Sequence, residues 1–397
     1  MTDRYPRIFL LAILAVAAFA QAGCQRDLKA IGLTPEAWFE DRLTDDEFEG
    51  QDLKVNPSDA VVDAKDSLLQ GAERPNFRVR IYSLEAIGST LKPADASILE
   101  DCLSDPKVMV RYAAAMAIGD MVYTKAKPKL IAMLDNPDTD QRVACAAIYA
   151  LARMGDYTYA PELGDMLFSD FKYGRSCAAI SMGKMGGKSA IEPLKTLLGE
   201  EKDQNVRYSI YEALARLGDK KAVDSLEAYT TAGYYMDLKI PAIPLLAEIK
   251  APKAKRIFAD LYEQSAHPPR IRVAACGALG KMGVFKREYY EYCQKAAEDP
   301  ETVLKEFYGT EQVDYMKISS LQRLAAMAIG DMGKIYGINV LHPMLVSDDG
   351  AVRISAAWGI LKLVEGKKSN FETIEPVKTN KNNPKKHKPV ITTGGID

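Results

Sequence analysis

The sequence predicts an all-α fold, a right-handed α-α superhelix of about nine stacked helix pairs. Three observations predict it. First, the run VRYAAAMAIGDMV at 110–122 recurs, with equivalent starts at Val79, Val110, Val143, Gly174, Val206, Leu238, Ile271, Leu321 and Val352. Second, the starts are 31 to 33 residues apart, except for one step of 50 before Leu321. Self-similarity at a fixed period of this size marks stacked units that share a core, not a single globule. Third, with the first residue of each run as offset zero, offsets 0, 4, 7, 8 and 11 fall on one stripe of a 3.6-residue helix and form its buried face.

Each run is one helix of a pair, helix B. Offset eight is Ile87, Ile118, Leu151, Met182, Leu214, Leu246, Leu279, Ile329 and Ile360, all large and apolar. Offset seven is Ala, Ser or Gly in eight of nine repeats, with Leu245 the exception, and offset nine is Gly or Ala in eight of nine. Small residues there let neighbouring helices approach closely. A mid-helix glycine costs roughly 1 kcal/mol against alanine, so its recurrence at Gly88, Gly119, Gly183, Gly280 and Gly330 implies a packing reason. Gly155, Gly186, Gly218, Gly283 and Gly333 at offset twelve are placed to end the helix in a left-handed residue. Offset ten is polar in all nine copies and is expected on the solvent side. A second helix, helix A, precedes each run: 126–134, 159–167, 189–198 and 338–346 share a proline followed by aliphatics.

These residues resemble the HEAT-repeat family over about 60–364. The resemblance lies in the A-helix prolines and the V-R-x-x-A-A-x-A-[IL]-G-x-[ML] run, and is nearest to the short, Ala/Gly-rich repeats of phycobilisome-lyase-like proteins. It implies one elongated solenoid with a curved surface for another protein. The lyase-like variety also implies an alternative, an enzyme or enzyme accessory that holds a small ligand or chromophore in its groove. Two copies depart from the pattern: Leu238–Lys250 carries Pro241 and Pro244, and the copy at Leu321 has Gln322 where Arg is usual.

Of the 397 residues, 47% are hydrophobic and 27% charged, which fits an ordered chain with a soluble surface. A net charge of −2 gives no global reason to expect nucleic acid as partner. Residues 1–23 read as a signal peptide: Arg4 and Arg7, then thirteen apolar residues, Ile8 to Ala20. Ala22-Gly23-Cys24 resembles a bacterial lipobox, which implies lipidation of Cys24 and a membrane-anchored protein facing periplasm or cell surface. Gln25 in place of Asp favours the outer membrane by the same analogy. Residues 24–59 form an acidic linker of net −6, 60–364 the repeats with an insertion near 286–317, and 365–397 a basic tail of net +3 that reads as disordered. The tail could touch anionic lipid or simply be solvated.

Two sets of residues are candidate binding elements. Offset one gives the column Arg80, Arg111, Arg175, Arg207, Lys239, Arg272 and Arg353. It could grip an acidic partner. In HEAT-like repeats such residues instead form an inter-repeat ladder with turn acids, here Asp105, Asp170, Asp203 and Asp348. The insertion carries Tyr289, Tyr290, Tyr292, Phe307, Tyr308 and Tyr315. It is either an interface, since insertions in repeats map to one face, or an extended A helix plus one extra helix with its rings packed inward. The five cysteines after Cys24 are odd in number and cannot all pair; Cys145, Cys177 and Cys276 lie among alanines as small buried hydrophobes. No zinc spacing, phosphate loop, nucleophile elbow or other catalytic motif is present, so no cofactor, metal or enzymatic activity is expected.

Overall fold

The computed structural model describes residues 52–231 and 236–366. The signal segment, Cys24, most of the acidic linker and the basic tail lie outside the described residues. The described residues form helices and connecting turns, without strands. Each repeat begins with an A helix: α1 Pro57–Ala72, α3 Ile98–Cys102, α5 Lys127–Asp135, α7 Glu162–Leu167, α9 Ile191–Glu200, α11 Lys220–Thr231, α13 Ala254–Glu263, α15 Arg287–Glu298 and α18 Ile338–Leu341. The B helices that follow are α2 Phe77–Thr90, α4 Val108–Met121, α6 Gln141–Arg153, α8 Lys172–Met185, α10 Gln204–Arg216, α12 Met236–Glu248, α14 Pro269–Lys281, α17 Tyr315–Met332 and α19 Gly350–Glu365. The long eighth step holds one further helix, α16 Pro300–Tyr308.

Local chemistry sets these boundaries. Carboxylate caps start B helices: Asp203 accepts from the Asn205 and Val206 N–H groups, and Asp349 from those of Ala351 and Val352. At the other end, all five offset-twelve glycines have positive φ, from +68° at Gly333 to +87° at Gly218. Val122 and Lys250 hold the same offset and take the left-handed conformation without glycine. Pro343 ends α18 early, and a 3-10 turn completes that A segment.

Eight of the nine offset-eight residues are buried as the periodicity requires, and Met182 is half-buried; Ile87, Ile118, Leu151, Leu246, Leu279, Ile329 and Ile360 have no exposed surface. The small positions interlock from one repeat to the next. A Cβ added to Gly88 would lie 2.8 Å from the Cα of Ala117; for Gly183 and Ala213 the distance is 2.5 Å, and for Gly330 and Gly359 2.7 Å. In each case offset nine of one repeat rests on offset seven of the next. Two joints depart from this. Between repeats five and six offset seven is Leu245 and α11 packs on both α10 and α12; between repeats seven and eight Gly280 rests on Met332, at offset eleven.

The solenoid of nine helix pairs expected from the sequence is present, but it closes into a ring and is not elongated. The last helix, α19, packs on α17 and also on α1 and α2 of the first repeat. Ile354 of α19 lies against Gly71 of α1, and Gly350 against Val79 of α2. Polar bonds fasten the same joint: Lys65 pairs with Glu365 at 3.1 Å, His342 meets Asp63 at 2.9 Å, and the indole N–H of Trp358 donates to Ser89 at 3.1 Å. Asn339 accepts from the Lys54 N–H and donates to the Asp52 carbonyl. Closure covers the apolar faces that the two ends of an open stack would leave in water.

Candidate functional site

Closure turns the offset-ten column toward the inside of the ring, where none of its side chains is buried. Six of its nine side chains form three pairs around a polar centre. Asp120 of α4 reaches Lys184 of α8 at 2.7 Å, passing over α6, where the Tyr149 hydroxyl donates to the same carboxylate at 2.5 Å. A contact that skips a helix fits only on the concave side of a curved stack. Arg216 of α10 pairs with Glu248 of α12, and Lys362 lies 3.7 Å from Asp331. Glu85 of α2 feels Arg323, Lys184 and Asp120 from three other helices. Although Glu85 keeps an exposed surface, the protein around its carboxyl raises it by partial desolvation, against the lowering pull of Arg323 and Lys184. Burial likewise raises Asp331, opposed by Lys362 and Lys281. The centre thus sets acids against bases, with Lys184, Arg323 and Lys362 over the rings of Tyr149, Tyr82 and Trp358. Its one signal in the sequence was the invariably polar offset ten; the direction of that offset depends on closure.

The offset-one column is mostly satisfied within its own repeat. One guanidinium nitrogen of Arg80 donates to the carbonyls of Arg74 and Pro75, that of Arg111 to Asp105 and Pro106, and that of Arg175 to Ser169 and Asp170. Arg207 donates to Leu198 and Glu201, Arg272 to Tyr262, and Arg353 to Ser347. These carbonyls lie in or near the turn from helix A to helix B, where an A helix leaves acceptors unpaired. At two joints the same arginine also crosses to the next repeat: Arg80 to Asp105 at 2.9 Å and Arg175 to Glu201 at 2.7 Å. Lys239 differs. It is only 2% exposed, and burial lowers its ammonium pKa. His267, in the next turn, is lowered first by burial and then by Lys239 and Arg272, so its neutral form is favoured.

The strongest rung is Arg175–Glu201. Burial alone would raise the Glu201 carboxyl. Hydrogen bonds from Arg175 and from the Asp203 and Lys202 backbone outweigh this and hold it below the ordinary glutamate value. A depressed carboxylate adds stability above the unfolded value, about pH 4.3, that is lost as pH falls through the folded value. Glu201→Ala is expected to cost about 3 kcal/mol at neutral pH, because it leaves Arg175 half-buried and unpaired. Urea denaturation at pH 7 and pH 3.5 checks this: the difference between variant and wild type should shrink at the lower pH.

Of the six insertion rings, two are buried, three half-buried and one exposed. Tyr289 and Tyr290 are each 1% exposed; Tyr289 meets Tyr262 edge-on at 4.7 Å and Tyr290 meets Tyr336 at 4.9 Å. Tyr292 lies 4.4 Å from the Arg272 guanidinium, and Phe307 stacks edge-on with Tyr308. Tyr315 is 63% exposed and donates to Asp349. The insertion is therefore the eighth A helix, α15, plus the extra helix α16.

A surface feature that periodicity did not reveal lies along the A-to-B turns. Seven of the eleven exposed large hydrophobics among the described residues fall there: Phe77, Met109, Phe168, Tyr173, Tyr315, Met316 and Val346. They belong to repeats eight, nine, one, two and four, so they follow one edge of the ring across the closing joint. Arg142 of repeat three stacks on Phe171 and Tyr173 and extends the same edge.

Among the described residues no helix is long and apolar enough to cross a membrane, and no group of three His, Cys, Asp or Glu could hold a metal ion. The fold and this edge define an α-helical repeat protein. Within it, residues 65–236 match the family model of HEAT repeats, in four overlapping spans at 65–152, 99–176, 128–210 and 160–236. Solved structures similar to the chain include the complex of CpcE and CpcF of phycocyanin lyase from Nostoc, at 19% identity and TM-score 0.38, covering 63% of this chain and 97% of that one. Human deoxyhypusine hydroxylase in complex with glycerol is similar at 18% identity and TM-score 0.32, covering 69% and 99%. No curated protein is significantly similar in sequence.

Proposed function

We propose that the chain is a lipid-anchored cell-envelope scaffold that binds another protein through the turn edge of its ring. The observation that carries this reading is the clustering of exposed Phe, Met and Tyr side chains along that one edge. Aromatic and Met side chains are enriched at the centres of protein interfaces. The arginine column supports the edge, not the grip, because its donors serve turn carbonyls. In the polar centre Asp120, Arg216 and Asp331 are already taken by Lys184, Glu248 and Lys362, which favours a scaffold over an accessory that holds a chromophore in its groove. Cys24 would carry the lipid and place the ring at the outer membrane.

The test is affinity purification from detergent extracts of the envelope, comparing wild type with a Met109→Asp, Tyr173→Asp, Met316→Asp variant. The partner retained by wild type is expected to be lost or weakened at least ~10-fold in the variant. No specific partner with wild type would end the scaffold reading; equal retention by both would move the interface off this edge. Anchoring is tested separately. Cys24→Ser is expected to abolish lipid labelling and release the protein to the soluble fraction, and unchanged membrane attachment would refute it.

A further inference from the structure

We propose that the joint between repeat nine and repeat one is a carboxylate-binding site. Two of the eight other joints set the comparison. In them the offset-one arginine of one repeat reaches the residue five places before offset zero of the next: Arg80 to Asp105, before Val110, and Arg175 to Glu201, before Val206. At the rest the corresponding place holds Asp138, Ser169, Gly233, Ala266, Met316 or Ser347, and no such pair forms among the described residues. At the closing joint the arginine is Arg353, and the next offset zero is Val79. Five places before Val79 stands Arg74. The place of the acid is held by a second base.

Arg74, an exposed residue, and Arg353 both line one open cavity of about 160 Å³ between α1 and α19. Ser67 and Gln70 add polar groups to its wall, and Val346 and Ile354 an apolar side. Arg353 donates to the Ser347 carbonyl, as the column does elsewhere. The Arg74 guanidinium makes no hydrogen bond to a described residue. In the two filled joints the guanidinium meets a carboxylate oxygen at 2.7–2.9 Å. The ligand that completes the closing joint is therefore a carboxylate, carried beside an aliphatic group that can rest on Val346. It would lie between the two arginines, where charge-assisted bonds are strongest. Because it bridges the first and last repeats, its binding stabilises the closed ring by linkage.

The experiment is a thermal-unfolding titration of the full chain with succinate and, separately, with N-acetyl-aspartyl-leucinamide, each against sodium chloride at equal ionic strength. A saturable rise in midpoint beyond the salt control is expected with at least one probe. A response to both identifies a site open to free carboxylates; a response to the peptide alone identifies an acidic chain as the source. Arg74→Gln is expected to weaken the response at least tenfold. Arg74→Glu supplies the missing acid from within: its midpoint without ligand should exceed wild type, and its response should vanish. No response in wild type, an equal response in Arg74→Gln, or a lower midpoint for Arg74→Glu would each overturn the proposal.

Discussion

Ending the chain before Gly350 is expected to open the ring. The radius of gyration should rise in small-angle scattering, and the thermal midpoint should fall by at least ~10 °C. The helix removed, α19, buries Val352, Ile354, Ile360 and Leu361 completely or nearly so, together with Ala356 and Ala357. Burying each large aliphatic contributes about 1.5–3 kcal/mol, or roughly 6–12 kcal/mol for the four before ordering entropy is subtracted. In a chain of this size 1 kcal/mol moves the midpoint by roughly 2 °C. The loss is doubled in kind, because α17 on one side and α1 and α2 on the other lose their cover together. An unchanged radius and midpoint would mean that the two ends do not support each other.

Gly183→Val is expected to cost about 2–3 kcal/mol, although valine is the better helix former. The added Cβ would lie 2.5 Å from the Cα of Ala213 and 2.8 Å from its Cβ. The obstacle is backbone, so α8 and α10 must move apart. Gly199→Val is the control. That glycine has nothing within 4 Å of an added Cβ, and its change should stay within ~0.5 kcal/mol. Urea midpoints of the two variants decide the matter: equal values would show that the close approach of B helices carries no energy.

The contrast between these glycines shows what could be read before the fold was known. Gly183 recurs with Gly88, Gly119 and Gly330 at one offset, and its packing role followed from repetition. The buried offset-eight aliphatics, the left-handed glycines and the place of the inserted helix were legible in the same way, because each depends on contacts inside a repeat or with its neighbour. Closure depends on the summed curvature of nine joints, which no single repeat encodes. One mark of it was present: offset nine of the last repeat is Leu361, where the other repeats carry Gly or Ala. That helix meets the first repeat, not an ordinary successor. With closure unread, the polar offset ten was assigned to solvent without the pairing of Asp120 with Lys184 and of Arg216 with Glu248. The turn edge escaped for a different reason. Phe77, Met109, Tyr173 and Tyr315 occupy the first or second position of their helices, outside the offsets that define the core.

A stack with free ends can gain or lose a unit and stay folded, since each member answers only to its neighbours. A circle has no such latitude. Duplicating one unit here would change every angle between members, and deleting one would leave a gap that the others must strain to span. The number of copies is therefore set by circumference, and variation in length is confined to places such as α16 that hang outside the count.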